Sequence, residues 1–225
     1  MTELILGIDD AGRGPVIGPM ILAGCLIDEK TRKEFKKIGI VDSKKLTPKR
    51  REYFEKIIKE KAINYHILLA TPEEIISKNK VGTKLNEVEA LLCAKIINEL
   101  NTGKEKIKIF VDCPSVSISK WDDYLRTHIK NLSNLEISCE HKADQNHVSA
   151  SAASILAKCK REREMSKLKE KYGEEIGSGY TSDPSTQKFL KKYAKKYEKE
   201  GIFRKTWITW KVARENIRKE EKKKI

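Results

Sequence analysis

The stretch "ELILGIDDAGRGPVIGPMILAGCLI" at residues 3–27 constrains this chain more than any other. Two apolar runs, 3–9 and 19–27, flank a break in which residues 10–19 include three glycines and two prolines. That is too many for a helix or strand to continue. Strand, short loop and strand predict an antiparallel hairpin. The first run ends on two adjacent carboxylates, Asp9 and Asp10. Successive side chains of a strand point to opposite faces, so one of the pair must face the sheet's interior. A buried carboxylate is costly unless something of opposite charge meets it.

The rest of the chain alternates between the two periodicities. Helices are expected over 30–38 and after Thr47-Pro48, where threonine caps the first turn and proline takes its first position. "AINYHILLA" at 62–70 reads as a third strand, and 84–100 as an amphipathic helix. "KIKIFVDCPS" gives a fourth strand ending at Asp112, and a helix is expected over 117–131. "LEISCE" is the fifth strand. A loop carrying Asp144 then opens a long helix, with Val148, Ala152, Ile155, Leu156, Cys159 and Leu168 on its apolar face and Lys158, Arg161 and Arg163 away from it. Two further helices, 184–199 and 206–220, complete the chain. This order predicts an α/β protein: a mixed five-stranded sheet flanked by helices, three strands joined antiparallel and two joined through helices and parallel. We expect a catalytic domain over 1–182 and a basic helical extension over 183–225, packed on it.

Asp9, Asp10, Asp112 and Asp144 therefore stand at or just beyond strand ends, where a sheet brings distant segments to one edge. Clustered carboxylates raise one another's pKa, and hard divalent cations relieve them. An aspartate at such a place is also a common cap or turn residue, which is the plainer reading of Asp112 or Asp144 taken singly. The net charge of +14 favours an anionic partner, nucleic acid first. Residues 156–225 hold 22 Lys and Arg against 11 Asp and Glu, so +11 of that charge lies there. Five scattered cysteines without a C-x-x-C pair read as reduced thiols of a cytoplasmic protein, and the four histidines lack zinc spacing. No signal peptide and no membrane span are visible.

These motifs, in order, resemble the type 2 ribonuclease H family (ribonuclease HII), in an archaeal-like form. "GIDDAGRGPVIGPMILA", "DSKKLT", "FVDCP", "EHKADQNHVSAASILAKCKRERE" and "GSGYTSDPST" spread the likeness over residues 4–212. It implies the ribonuclease H fold and hydrolysis of RNA strands paired to DNA. It also implies cleavage 5′ of ribonucleotides embedded in duplex DNA, leaving 3′-hydroxyl and 5′-phosphate ends. Mg²⁺ or Mn²⁺ would be held by Asp9, Asp10, Asp112 and Asp144. Gly12, Arg13 and Gly14 would recognise the ribose 2′-hydroxyl, and Tyr180 the following deoxyribose. Ser43, Lys44, Ser154 and Lys158 would contact phosphates. A monomer is expected.

The chain departs from the family pattern in places. Asp10 stands where the family usually has glutamate, and Thr181 where proline is common. The ending "RKEEKKKI" lacks the paired aromatics of a sliding-clamp peptide, so that contact is not expected. A junction resolvase or integrase core would share the acids but not the pairing of Gly12-Arg13-Gly14 with Tyr180. A non-catalytic nucleic-acid-binding protein would use the aspartates structurally.

Overall fold

In the computed structural model, residues 3–40 and 46–222 are described. The expected hairpin is formed by β1 (Leu4–Ala11) and β2 (Met20–Asp28), antiparallel, with Leu4 opposite Asp28 and Ala11 opposite Ile21. β1 runs past the acidic pair, so Asp9 and Asp10 lie within the strand, opposite Ala23 and Leu22. Asp9 is buried and Asp10 half-buried, their side chains on opposite faces of the strand. With β3 (Asn64–Ala70), β4 (Ile107–Asp112) and β5 (Leu135–Glu140), the sheet order is β3-β2-β1-β4-β5. β4 pairs in parallel with both β1 and β5, completing the mixed sheet.

Local chemistry sets the helix ends. Asp28 accepts from the Thr31 amide at 2.7 Å and caps α1 (Glu29–Ile38), which Gly39 closes in the left-handed region at φ 88°. Thr47 caps α2 (Pro48–Lys61). Thr71 and Glu74 form a reciprocal capping box on α3 (Pro72–Lys80). α4 (Leu85–Leu100) and α5 (Ile118–Arg126) follow, the latter shorter than the expected 117–131.

Contacts divide the chain into two compact units. One comprises Met1–Ala11, Ile21–Leu68 and Leu85–Lys160; the other comprises Gly12–Met20, Leu69–Lys84 and Arg161–Ile225. In the first, α6 (Ala143–Asn146) leads into α7 (Val148–Tyr172), whose first turn lies directly on β1. A Cβ at Gly7 would come within 2.0 Å of the Ser149 carbonyl carbon and 2.1 Å of the Ala150 nitrogen. Only glycine permits that approach. Residues 149–157 of α7 are all buried, so this stretch is enclosed on every side rather than apolar along one face.

In the second unit, Val16 and Ile17 from the glycine-rich loop join Ile176, Phe189, Phe203 and Trp210 in one core. α8 covers Pro184–Tyr193, not 184–199, and α9 covers Ile208–Lys222. α8 gives way to a run of turns over 194–199, and the Tyr197 ring lies 5.9 Å from that of Phe189. In a continuing helix, residues eight apart would stand about 12 Å apart along the axis. Among the described residues no disulfide forms, and burial pushes the Cys25 thiol up to about 12. Among the described residues, no helix is long and apolar enough to cross a membrane.

Candidate active site

The acids belong to the first unit. Asp9 is 5 % exposed, and its Oδ1 accepts from the Asp10 amide at 2.7 Å. Burial holds its pKa well above the usual carboxylate range. The charges of Asp10, Asp112 and Asp144 push it the same way, and a hydrogen bond from Ser154 opposes them. Asp112 is also raised, first by burial and then by Asp144. The Ala143 amide donates to its Oδ1 at 3.2 Å, and Asp9 is near enough to share a hydrogen bond with it. Asp144 sits in α6 at 1 % exposure. The turn before it is held by Lys142 at φ 61°, the one non-glycine with positive φ among the described residues.

Asp9 is thus within electrostatic reach of the other three aspartates, and Asp112 of Asp144. Among the described residues, no three His, Cys, Asp or Glu side chains are already gathered closely enough to hold an ion. The donor set is nonetheless all oxygen, and its mutual repulsion is what a hard dication offsets. On that chemistry the residues fit such an ion.

Ser154 is fully buried, with its hydroxyl turned to Asp9 and accepting from Lys158 Nζ at 3.0 Å. The three form a relay from Lys158 through Ser154 to Asp9. Ser43 and Lys44 lie outside the described residues.

The second unit carries Gly12, Arg13, Gly14 and Tyr180. Gly12 has φ 81°, and a Cβ there would meet Arg161 Nε at 2.3 Å. Arg161 is not on a solvated face as its position in the helical pattern suggests. It is 8 % exposed, its Nη2 donates to the Ser178 carbonyl at 3.0 Å, and its guanidinium lies 4.9 Å from the Tyr180 ring centroid. Burial lowers its pKa. Tyr180 is 40 % exposed, and a Cβ at Gly14 would lie 3.9 Å from its Cε1. Its segment is rigidly tied: the Gly179 amide donates to buried Thr186 Oγ1 at 2.9 Å, and the Gly179 carbonyl accepts from Val16 at 2.9 Å. Asp183 accepts from the Ser178 and Ser185 amides, which pull its pKa down to about 2.

Sequence reasoning missed Arg204 altogether. It is fully buried and donates to the carbonyls of Gly12, Arg13 and Gly18. Trp207 Nε1 donates to the Gly14 carbonyl at 3.2 Å. The available signal was one arginine in the aromatic run "IFRKTWITW".

Comparison with known proteins bears directly on this arrangement. The family model described as Ribonuclease HII matches residues 6–210. The chain belongs to the ribonuclease HII family. Members of that family are hydrolases acting on RNA, and the relatives agree along nearly the whole length. The ribonuclease HII of Thermococcus onnurineus is 43 % identical over 221 residues, 98 % of this chain and 94 % of that protein. The crystal structure of ribonuclease H2 from Pyrococcus horikoshii aligns with a TM-score of 0.85 at 41 % identity, covering 96 % of this chain and 99 % of the other. The ribonuclease HII of Archaeoglobus fulgidus, solved in complex with PCNA, aligns with a TM-score of 0.79 at 34 % identity, covering 92 % and 95 %.

Proposed function

We propose that this ribonuclease HII is an endonuclease that hydrolyses the RNA strand of RNA–DNA hybrids. It also cleaves 5′ of single ribonucleotides embedded in duplex DNA, leaving 3′-hydroxyl and 5′-phosphate ends. The observation that carries the reading is the carboxylate cluster around buried Asp9, whose charge is opposed by burial and by three neighbouring acids.

Asp9, Asp10, Asp112 and Asp144 would hold two divalent ions, Mg²⁺ or Mn²⁺. When bound, such ions supply a water activated for attack on the phosphodiester and stabilise the departing 3′ oxygen. The chain's own residues supply the rest. Ser154 and Lys158 fix the Asp9 carboxylate and favour its charged form. The Asp10 amide orients the same group. The backbone of Gly12-Arg13-Gly14 reads the 2′-hydroxyl, and the exposed Tyr180 ring packs on the next sugar. Reading a hydroxyl through amides and a ring touches no base edge, so sequence preference should be weak. The positive net charge holds the phosphate backbone.

The test is cleavage of a DNA duplex carrying one ribonucleotide, with Mg²⁺ and Mn²⁺ compared, beside a continuous hybrid and an all-DNA duplex. A single cut 5′ of the ribonucleotide, dependent on added metal, supports the reading. Cleavage of the all-DNA duplex, or cleavage with the metal chelated, overturns it.

A further inference from the structure

We infer that Arg204, assisted by Trp207, is the positioning residue of the Gly12-Arg13-Gly14 loop, and that discrimination of ribose from deoxyribose depends on it. The inference rests on the proposed reading of that loop. Arg204 has no exposed surface. Its Nη2 donates to the Gly12 carbonyl and its Nη1 to the Arg13 carbonyl, both at 2.6 Å; its Nε donates to Gly18 at 3.1 Å. Its amide donates to the Val16 carbonyl at 2.8 Å. The guanidinium lies 5.2 Å from the Trp207 ring centroid, and Trp207 in turn holds the Gly14 carbonyl.

Three consecutive carbonyls, those of residues 12, 13 and 14, are thereby drawn toward two side chains. In a planar trans peptide the N–H points opposite to the C=O. Fixing the carbonyls of Gly12 and Arg13 therefore turns the amides of Arg13 and Gly14 away from Arg204, as two adjacent donors. The next residue, Pro15, has no amide to offer. Adjacent outward amides form a concave donor site suited to an oxygen. Arg161 closes the arrangement beneath Gly12 and ties it to Ser178 and the Tyr180 ring. A lysine at 204 would keep the charge but lacks the planar fork needed to hold these carbonyls together.

The experiment measures binding of a single-ribonucleotide duplex and the matching all-DNA duplex in Ca²⁺, with kcat and KM for the former in Mg²⁺. The variants are Arg204→Lys and Trp207→Phe. Arg204→Lys should lower the ribo-over-deoxy affinity ratio at least tenfold and raise KM, with kcat and all-DNA affinity within twofold of wild type. Trp207→Phe, which keeps the ring and removes the donor, should lower the ratio about threefold. An unchanged ratio, or equal loss on both duplexes, overturns the inference; if Arg204→Lys does not fold, Trp207→Phe decides alone by the same criterion. A wild type without preference for the ribonucleotide overturns the loop reading and this inference with it. A wild-type preference that both variants retain overturns this inference only.

Discussion

A carboxylate at Asp9 must be held against burial and three neighbouring acids. Its folded pKa is raised, so in the metal-free protein the native state carries the extra proton between the unfolded and folded values. Stability falls as pH rises through that window, and the penalty is complete above it. A bound dication removes the penalty. Mg²⁺ should therefore raise Tm more at neutral pH than at acid pH near the ordinary carboxylate range, and equal gains at both would contradict this account. Asp9→Asn keeps the acceptor for the Asp10 amide but not the charge. Metal-free Tm should rise, by about 2–4 °C for each kcal/mol relieved. Cleavage should fall more than about a hundredfold, the upper range for loss of even an outer-shell metal partner. Hybrid binding should survive, because phosphate contacts supply most of the affinity. Near-normal turnover in this variant would sink the metal assignment. Asp10 is half-buried, and its side chain is a methylene shorter than the glutamate that the resemblance leads us to expect there. Asp10→Glu should lower the Mg²⁺ concentration needed for cleavage, and Mn²⁺ should serve the present chain better than Mg²⁺, the less forgiving ion for ligand geometry. A less active Asp10→Glu with either ion would mean the backbone is fitted to aspartate.

At the scale of elements, the seating of α7 on β1 is what brings Asp144 to the acidic group. Gly7→Ala would place a methyl inside the backbone of Ser149 and Ala150. No rotamer can relieve a clash with backbone, so the loss should reach about 3 kcal/mol, the top of the usual overpacking range. Chemical denaturation measures it; a variant within ~0.5 kcal/mol of wild type would mean that α7 slides freely. The sequence made most elements legible. Caps at Thr47 and Thr71 and the interrupted hairpin follow from local chemistry, and local chemistry is what a sequence records directly. Gly7 was not legible, because its reason is a helix more than 140 residues away. Arg161 was misread because helical periodicity assigns a charged residue to the solvent side, while a tyrosine ring and a glycine stacked against it make the opposite placement stable. The four aspartates were legible by their position near strand ends, although Asp9 and Asp10 lie within β1 and Asp144 in α6. Ser154 and Lys158 were expected at phosphates; their relay to Asp9 was not legible, because a hydrogen bond between residues so far apart in the chain leaves no local pattern.

For the whole molecule, charge is the governing quantity. Part of the C-terminal excess is not at the surface at all, since Arg161 and Arg204 are buried. Deleting the chain beyond Arg204 would also strip Trp210 from a core. Substituting exposed Lys211 and Arg218 of α9 by Gln tests the electrostatics without that damage. If both meet phosphates, the slope of log K against log salt on duplex DNA should flatten by up to about 1.8, near 0.9 per contact. Cleavage at saturating substrate should be unchanged. An unaltered slope would make this face of α9 a solvated surface only. The bonds from Arg204 to Gly12 and Arg13 span 192 and 191 residues of chain. A ribosome emits the loop among the first segments and the side chain that shapes it among the last. All four acids emerge before that side chain, two of them ahead of the loop itself. A message cut short before codon 204 would therefore yield a chain with all four aspartates but without the side chain that holds the glycine-rich loop. For such a product the loop would lack the contacts that hold its carbonyls, and the core that includes Trp210 would be incomplete as well.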